Sequence, residues 1–247
     1  MSDAASIMME VSFDIAYLIA VWTLVIIMFR RYRQVAAANQ PVAKWVLIAF
    51  GLLALGDTGH VGFRVVAYAL GNINITVSLF GSRILLVGLG SFATAVTVTF
   101  FYGMMILVWR ERFGGRLGWF EWLLIATAAL RLVILLLPQN QWNNPNDPYL
   151  WSIYRNIPLV VQGLGIVYLI LRDALKKRDR TFIWIGAMIL VSYACYAPVI
   201  LFVRQIPLIG MLMMPKTLAY LAVAFIAYFE LYPKASQSNT YSPPLSS

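Results

Sequence analysis

The chain has 247 residues, of which 61% are hydrophobic and only 12% are charged. Soluble domains carry about 25% charged residues, so this composition excludes a soluble globular protein and predicts an integral membrane protein. The net charge of +9 lies in short loops between apolar segments and does not indicate nucleic-acid binding. The chain has one histidine and one cysteine, which are too few ligands for most haem, zinc or iron–sulfur sites.

Seven apolar runs follow in chain order, and each is read as a helix because a bilayer core requires roughly 20 apolar residues with internally bonded backbones. They lie near residues 13–29, 45–70, 84–109, 122–137, 157–171, 182–203 and 208–231, and the fifth could begin earlier, near Tyr149. We predict an all-α seven-helix transmembrane bundle as a single domain over residues 1–234, with a disordered polar tail at 235–247. A parallel three-plus-one-plus-three repeat is one arrangement of the seven helices.

Basic residues decide the predicted orientation. Of the 19 Lys and Arg residues, 13 fall in the loops after the first, third and fifth runs or in the tail, whereas the other side carries only Arg83, Arg155 and Arg204. Because basic loops mark the cytoplasmic side, we predict an N-terminus outside the cell membrane and a C-terminus in the cytoplasm. The basic loops could also meet a cytoplasmic protein partner.

The second run contains the sharpest pattern of ionisable residues. At about 100° per residue, Asp57, His60 and Arg64 fall within about 60° of one helical face. Gly59 and Gly62 lie on the opposite side, where a neighbouring helix could approach closely. Ionisable groups within a span are costly unless they are paired, so we expect this stripe to face the interior of the bundle.

Polar residues of other helices are predicted at a similar depth, in a pocket open toward the outside. The candidate ligand-binding residues are Asp57, His60, Arg64, Arg131, Gln162, Tyr193, Tyr196 and Lys216. Three cations would face one clear anion, with Asp14 as a second, so the pocket is expected to hold a carboxylate or phosphate from a small molecule or lipid headgroup. No catalytic or metal-binding residues are predicted.

A purely structural interpretation stays open. Asp57 could pair with Arg64, Arg131 or Lys216 as a staple between helices, and Arg64 could extend toward the headgroups. Under that interpretation the polar residues hold helices together and bind no ligand.

Lys216 also resembles the retinal-linking lysine of rhodopsins, since both lie in the seventh helix of a bundle whose N-terminus is outside. The resemblance implies retinal as a cofactor on Lys216. However, the third helix has no carboxylate to act as a counter-ion, and Asp57 would have to serve from the second helix. Apart from this, we expect no cofactor.

The segment at residues 56–64 reads Gly-Asp-x-x-His-x-x-x-Arg. It resembles a segment of uncharacterised seven-helix bacterial membrane proteins. The resemblance covers these nine residues and the topology. It implies a bacterial cytoplasmic membrane and no particular activity.

Three functions fit the pattern. The first is a receptor-like sensor that binds an anionic ligand in the outer pocket. The second is a small solute transporter, which would need polar groups in the inner half, where Thr97, Thr99 and Glu230 are the candidates. The third is a lipid-acting enzyme with Asp57 and His60 as an acid–base pair, but no nucleophile or metal pattern supports enzymatic activity.

Overall fold

A computed structural model describes residues 3–72, 74–79, 82–144 and 148–232 of the chain. This part contains seven helices that are long and apolar enough to cross a membrane. Their bounds are α1 Asp3–Arg31, α2 Gln40–Ala69, α3 Leu86–Phe113, α4 Trp119–Leu136, α5 Tyr149–Lys177, α6 Arg180–Phe202 and α7 Met213–Leu231. The predicted seven-helix fold is confirmed, and α5 takes the earlier of its two predicted starts. The predicted tail at 235–247 lies outside the described residues.

The outer surface of the bundle is apolar. Large apolar side chains are exposed along every helix, and Phe29, Leu136 and Phe229 are each more than two-thirds exposed, at 72%, 73% and 71%. Soluble proteins rarely expose so much apolar surface, because water solvates it poorly. Together with the seven spans, this surface gives the chain the architecture of a multi-pass membrane protein.

Local sequence signals set several helix ends. The Glu121 carboxylate accepts the Gly118 N–H at 2.8 Å at the start of α4, and the Asp179 carboxylate accepts the Phe182 N–H at 3.1 Å at the start of α6. These bonds satisfy N–H groups that the first helical turn leaves without partners. α3 ends at Phe113, and Gly114 follows with a φ of 68°, a left-handed conformation that glycine adopts without strain.

Consecutive helices pack side by side, and α7 closes the ring against α1. α3 also contacts α5, and α2 contacts α7. The α2–α3 and α4–α5 connections meet at one end, which we name the hairpin end, where the Leu85 N–H donates to Asn143 Oδ1 at 3.1 Å. The α6–α7 connection lies at this end as well. The α1–α2, α3–α4 and α5–α6 connections lie at the opposite end, named the basic end, where Arg112 and Asp179 form an ion pair at 2.8 Å.

The connection between α2 and α3 is an antiparallel hairpin that the sequence prediction missed. Its strands are β1, Thr76–Leu79, and β2, Ser82–Leu85. The predicted third helix began at residue 84, but residues 84 and 85 belong to β2 and α3 begins at Leu86. Apolar content alone does not separate the last strand residues from a helix, because both are apolar.

Glycines bring α2 and α3 into close contact. A Cβ added at Gly90 would lie 2.5 Å from the Gly59 carbonyl oxygen, and one added at Gly56 would lie 1.8 Å from Thr97 Oγ1. Small residues let membrane helices approach in this way. The predicted role of Gly59 therefore agrees with the structure. A Cβ added at Gly62 would meet no described atom within 4 Å, so the close contact does not extend to that residue.

The basic half of the bundle is filled by large side chains. Trp109, Tyr102, Phe50, Phe101 and Met105 are all at most 2% exposed. Their rings pack edge to face, as Phe50 and Phe101 do with centroids 5.4 Å apart. This packed core separates the basic end from the half of the bundle nearest the hairpin end.

Candidate ligand-binding site

A cavity of about 880 Å³ lies in the half of the bundle nearest the hairpin end, and all seven helices contribute to its wall. Seven of the eight predicted ligand-binding residues line it, namely Asp57, His60, Arg64, Arg131, Tyr193, Tyr196 and Lys216. Side chains from four separate helices therefore meet at a single cavity. Its volume lies within the range of small-molecule sites.

Asp57 is held by two hydroxyl groups. The Tyr17 hydroxyl of α1 donates to Oδ2 at 2.6 Å, and the Thr94 hydroxyl of α3 donates to Oδ1 at 2.9 Å. No Lys, Arg or His nitrogen of the described residues lies within 4.0 Å of this carboxylate. Asp57 therefore forms none of the three ion pairs that the structural interpretation proposed for it. Bonds to Tyr17 and Thr94 connect α2 to its neighbours instead.

Arg64 forms its ion pair with Glu10 of α1. Both side chains are partly exposed, at 29% and 38%, so this pair lies near the opening of the cavity. His60 lies between Arg64 Nη2 and Ser91 Oγ, each 3.4 Å from one of its ring nitrogens. The stripe of α2 thus contacts α1 at both ends and α3 through Asp57 and His60.

Arg131 is the most buried cation of the site, at 2% exposure. Its Nε donates to the Arg155 carbonyl oxygen at 3.0 Å, and Nη1 donates to the Ala95 carbonyl oxygen at 2.7 Å and to the Thr99 hydroxyl. A guanidinium has five N–H donors, so these bonds leave the two on Nη2 without an acceptor among the described residues. No described carboxylate lies within 4.0 Å of this charge.

Lys216 rests against two tyrosine rings. Its ammonium nitrogen lies 4.5 Å from the Tyr196 centroid and 5.9 Å from the Tyr220 centroid, distances that allow cation–π attraction. The Tyr196 hydroxyl donates to Asn156 Oδ1 at 2.9 Å, which fixes that ring in place. Within the described part of the chain, Lys216 has no hydrogen-bond acceptor and no ion-pair partner.

Gln162 does not line the cavity. It is fully buried, and its Nε2 is 3.4 Å from the Thr99 carbonyl oxygen of α3. α5 presents Asn156 and Leu159 to the cavity, and Gln162 packs between helices on the side toward the basic half. Its Oε1 has no hydrogen-bond donor among the described residues.

The cavity wall carries both signs of charge. Arg64, Arg131, Arg155 and Lys216 face the carboxylates of Glu10, Asp14 and Asp57. The surplus is one positive charge, the same as predicted for three cations that face Asp57 and Asp14. The charges are also segregated, because all three carboxylates lie on α1 and α2, whereas three of the cations lie on α4, α5 and α7.

The sequence prediction omitted several residues of the wall. Glu10 and Tyr17, together with Asp14, follow the spacing of one helical face of α1, and this signal could have identified them. Thr94 carries no comparable signal, since a threonine in an apolar helix usually bonds to its own backbone. Its contact with Asp57 depends on how α3 is rotated against α2.

The polar residues proposed for an inner transport path are separated from one another. Thr99 is buried and bonds to the Ala95 carbonyl oxygen at 2.8 Å. Thr97 faces Gly56 in the α2–α3 contact. Glu230 pairs with Arg112 at 3.5 Å at the basic end. No series of polar contacts among these residues continues the cavity toward the basic end.

Comparison with known proteins found no matching protein family, no matching curated protein and no matching solved structure. The resemblance of residues 56–64 to bacterial seven-helix proteins therefore stays a prediction, as do the bacterial origin and the three-plus-one-plus-three repeat.

Proposed function

We propose that this protein is a receptor-like membrane protein that binds an anionic group in the cavity, on Arg131 and Lys216. The observation that carries the proposal is that both cations line the cavity while no described carboxylate lies within 4.0 Å of either. A cation within a membrane span is costly unless an anion or polar group compensates it. A bound carboxylate or phosphate would supply that compensation.

The two cations offer complementary donors. Arg131 is fixed by three bonds to α3 and α5, and its Nη2 group keeps two N–H groups that can donate to an oxyanion. Lys216 makes only ring contacts and can turn its three N–H donors toward a ligand. A rigid guanidinium and a mobile ammonium on different helices can bind one anionic group together.

The anion can belong to a small molecule or to a lipid headgroup. The distribution of basic residues favours an outward-facing hairpin end, so a ligand would enter from outside or from the outer leaflet. The exposed basic loops at the opposite end would then meet a cytoplasmic protein partner. In this arrangement the bundle carries a signal across the membrane of the cell.

The competing functions receive less support. The packed core of the basic half argues against a transport path in this conformation. An acid–base pair is not favoured, because His60 contacts Ser91 and Arg64 while Asp57 is held by Tyr17 and Thr94. Retinal attachment to Lys216 stays a prediction, which borohydride reduction in the presence of retinal would test.

Ligand binding to the purified protein in detergent tests the proposal. Thermal unfolding and titration calorimetry would compare acetate, pentanoate, inorganic phosphate and short-chain anionic lipid with chloride at equal ionic strength. We expect at least one oxyanion to stabilise the parent. Lys216→Met should weaken its binding about 10-fold to 100-fold, since a hydrogen bond to a charged group contributes about 1.5–3 kcal/mol.

Lys44→Met is the matched control. Lys44 is exposed near the basic end and makes a similar cation–π contact, 5.3 Å from the Trp45 ring, but it does not line the cavity. This variant should bind the oxyanion like the parent. The proposal fails if no oxyanion stabilises the parent, or if Lys216→Met retains the parent's affinity.

A further inference from the structure

The acidic side of the cavity contains a carboxylate that no described residue satisfies. Asp14 of α1 lines the cavity and is only partly exposed. It has neither a hydrogen-bond donor nor an ion-pair partner within the described part of the chain. The neighbouring carboxylates do have partners, since Arg64 pairs with Glu10 and two hydroxyls bond to Asp57.

Asp14 and Lys216 line the same cavity with opposite charges and do not pair. They lie more than 4.0 Å apart, since no ion pair joins them. The packing keeps them separate, because Lys216 is drawn against the tyrosine rings of α6 and α7 while Asp14 lies on α1. Opposite charges attract strongly in a low-dielectric interior, so an arrangement that holds them apart leaves both available to a third partner.

The cavity therefore has two poles. The acidic pole consists of the carboxylates of Glu10, Asp14 and Asp57. Among the described residues, Arg64 is the one cation that forms an ion pair there, with Glu10. The basic pole is the pair of cations, Arg131 and Lys216, to which the proposed function assigns the anion. The wall also includes the apolar side chains of Met9, Phe13, Leu53, Met211 and Met214.

We infer that the ligand is a zwitterion, whose anionic group binds Arg131 and Lys216 and whose ammonium group binds Asp14. A short carbon chain joining the two groups would lie against the apolar wall. An anion alone would occupy the basic pole and leave Asp14 without a hydrogen-bonded or ion-paired partner among the described residues. A zwitterion compensates both poles, and the volume of about 880 Å³ accommodates it. This inference rests on the proposed function for its anionic pole.

Matched ligand pairs test the inference. Calorimetry would compare pentanoate with 5-aminopentanoate, and ethyl phosphate with phosphoethanolamine, so that each pair differs by one ammonium group. Short-chain phosphatidylglycerol and phosphatidylethanolamine form a third pair, and binding in that pair alone identifies the ligand as a lipid headgroup. We expect the zwitterion to bind at least 10-fold more tightly than its matched anion in at least one pair.

Variants then assign the two poles. Asp14→Asn keeps the shape of the side chain and removes its negative charge. It should therefore abolish the preference for the zwitterion and leave the affinity for the simple anion within about twofold of the parent. Lys216→Met should weaken both members of the pair. Glu111→Gln is the control, since Glu111 pairs with Arg110 near the basic end and lies outside the cavity.

The outcomes separate this inference from the proposed function. If simple anions bind in a manner that depends on Lys216 but the zwitterions bind no more tightly, the inference is wrong and the proposed function stands. The inference is also wrong if Asp14→Asn keeps the parent's preference. If neither member of any pair binds, both ideas are refuted.

Discussion

The close contact between α2 and α3 can be tested by replacing Gly90 with alanine. The added Cβ would lie 2.5 Å from the Gly59 carbonyl oxygen and 2.9 Å from the His60 Cα. Both are backbone atoms, so no flexible side chain can move aside and the helices must separate. Overpacking of this kind costs about 1–3 kcal/mol, against a gain of about 1 kcal/mol from the better helix propensity of alanine.

We expect the free energy of unfolding, measured by titration with dodecyl sulfate in mixed micelles, to fall by up to about 2 kcal/mol for Gly90→Ala. The stripe that contains His60 would shift as well, so ligand affinity should fall with stability. Gly103→Ala is the matched control on the same helix, because a Cβ there would meet no described atom within 4 Å. If the two variants were equally stable, the close α2–α3 contact would be wrong, and so would the placement of the stripe.

Two further predictions concern the Asp57 carboxylate and the orientation of the bundle. Tyr17→Phe removes a hydroxyl that donates to Asp57 at 2.6 Å, so it should lower the free energy of unfolding by about 1–3 kcal/mol in the same titration. Tyr154→Phe is the control and should change this free energy little, because Tyr154 is 47% exposed. A cysteine introduced at Ser78 of the hairpin, in a cysteine-free variant, should react with an impermeant maleimide added to intact cells. One introduced at Arg116, between α3 and α4, should react only after lysis.

The opposite labelling pattern would reverse the predicted orientation and place the opening of the cavity on the cytoplasmic side. Equal stability of the Tyr17 variant and the parent would mean that the Asp57 carboxylate does not depend on the hydroxyl of α1.

The sequence by itself determined the seven spans and the inward face of the α2 stripe. Lipid offers no hydrogen bonds to the backbone, so a sufficiently long apolar run has to be helical, whatever surrounds it. Once the helix is given, its fixed rotation per residue places Asp57, His60 and Arg64 on one face. The cost of a charge in lipid then turns that face inward. These steps need only neighbouring residues, and the structure agrees with them.

Only the tertiary structure decided which groups meet inside. Arg64 pairs with Glu10 and not with Asp57, Thr94 bonds to Asp57, and Gln162 packs outside the cavity. Each of these outcomes depends on the rotation and offset of one helix against another. Those two quantities are fixed by contacts between residues far apart in the chain, such as the approach of α3 to the Gly59 carbonyl oxygen, and no local pattern along a single helix specifies them.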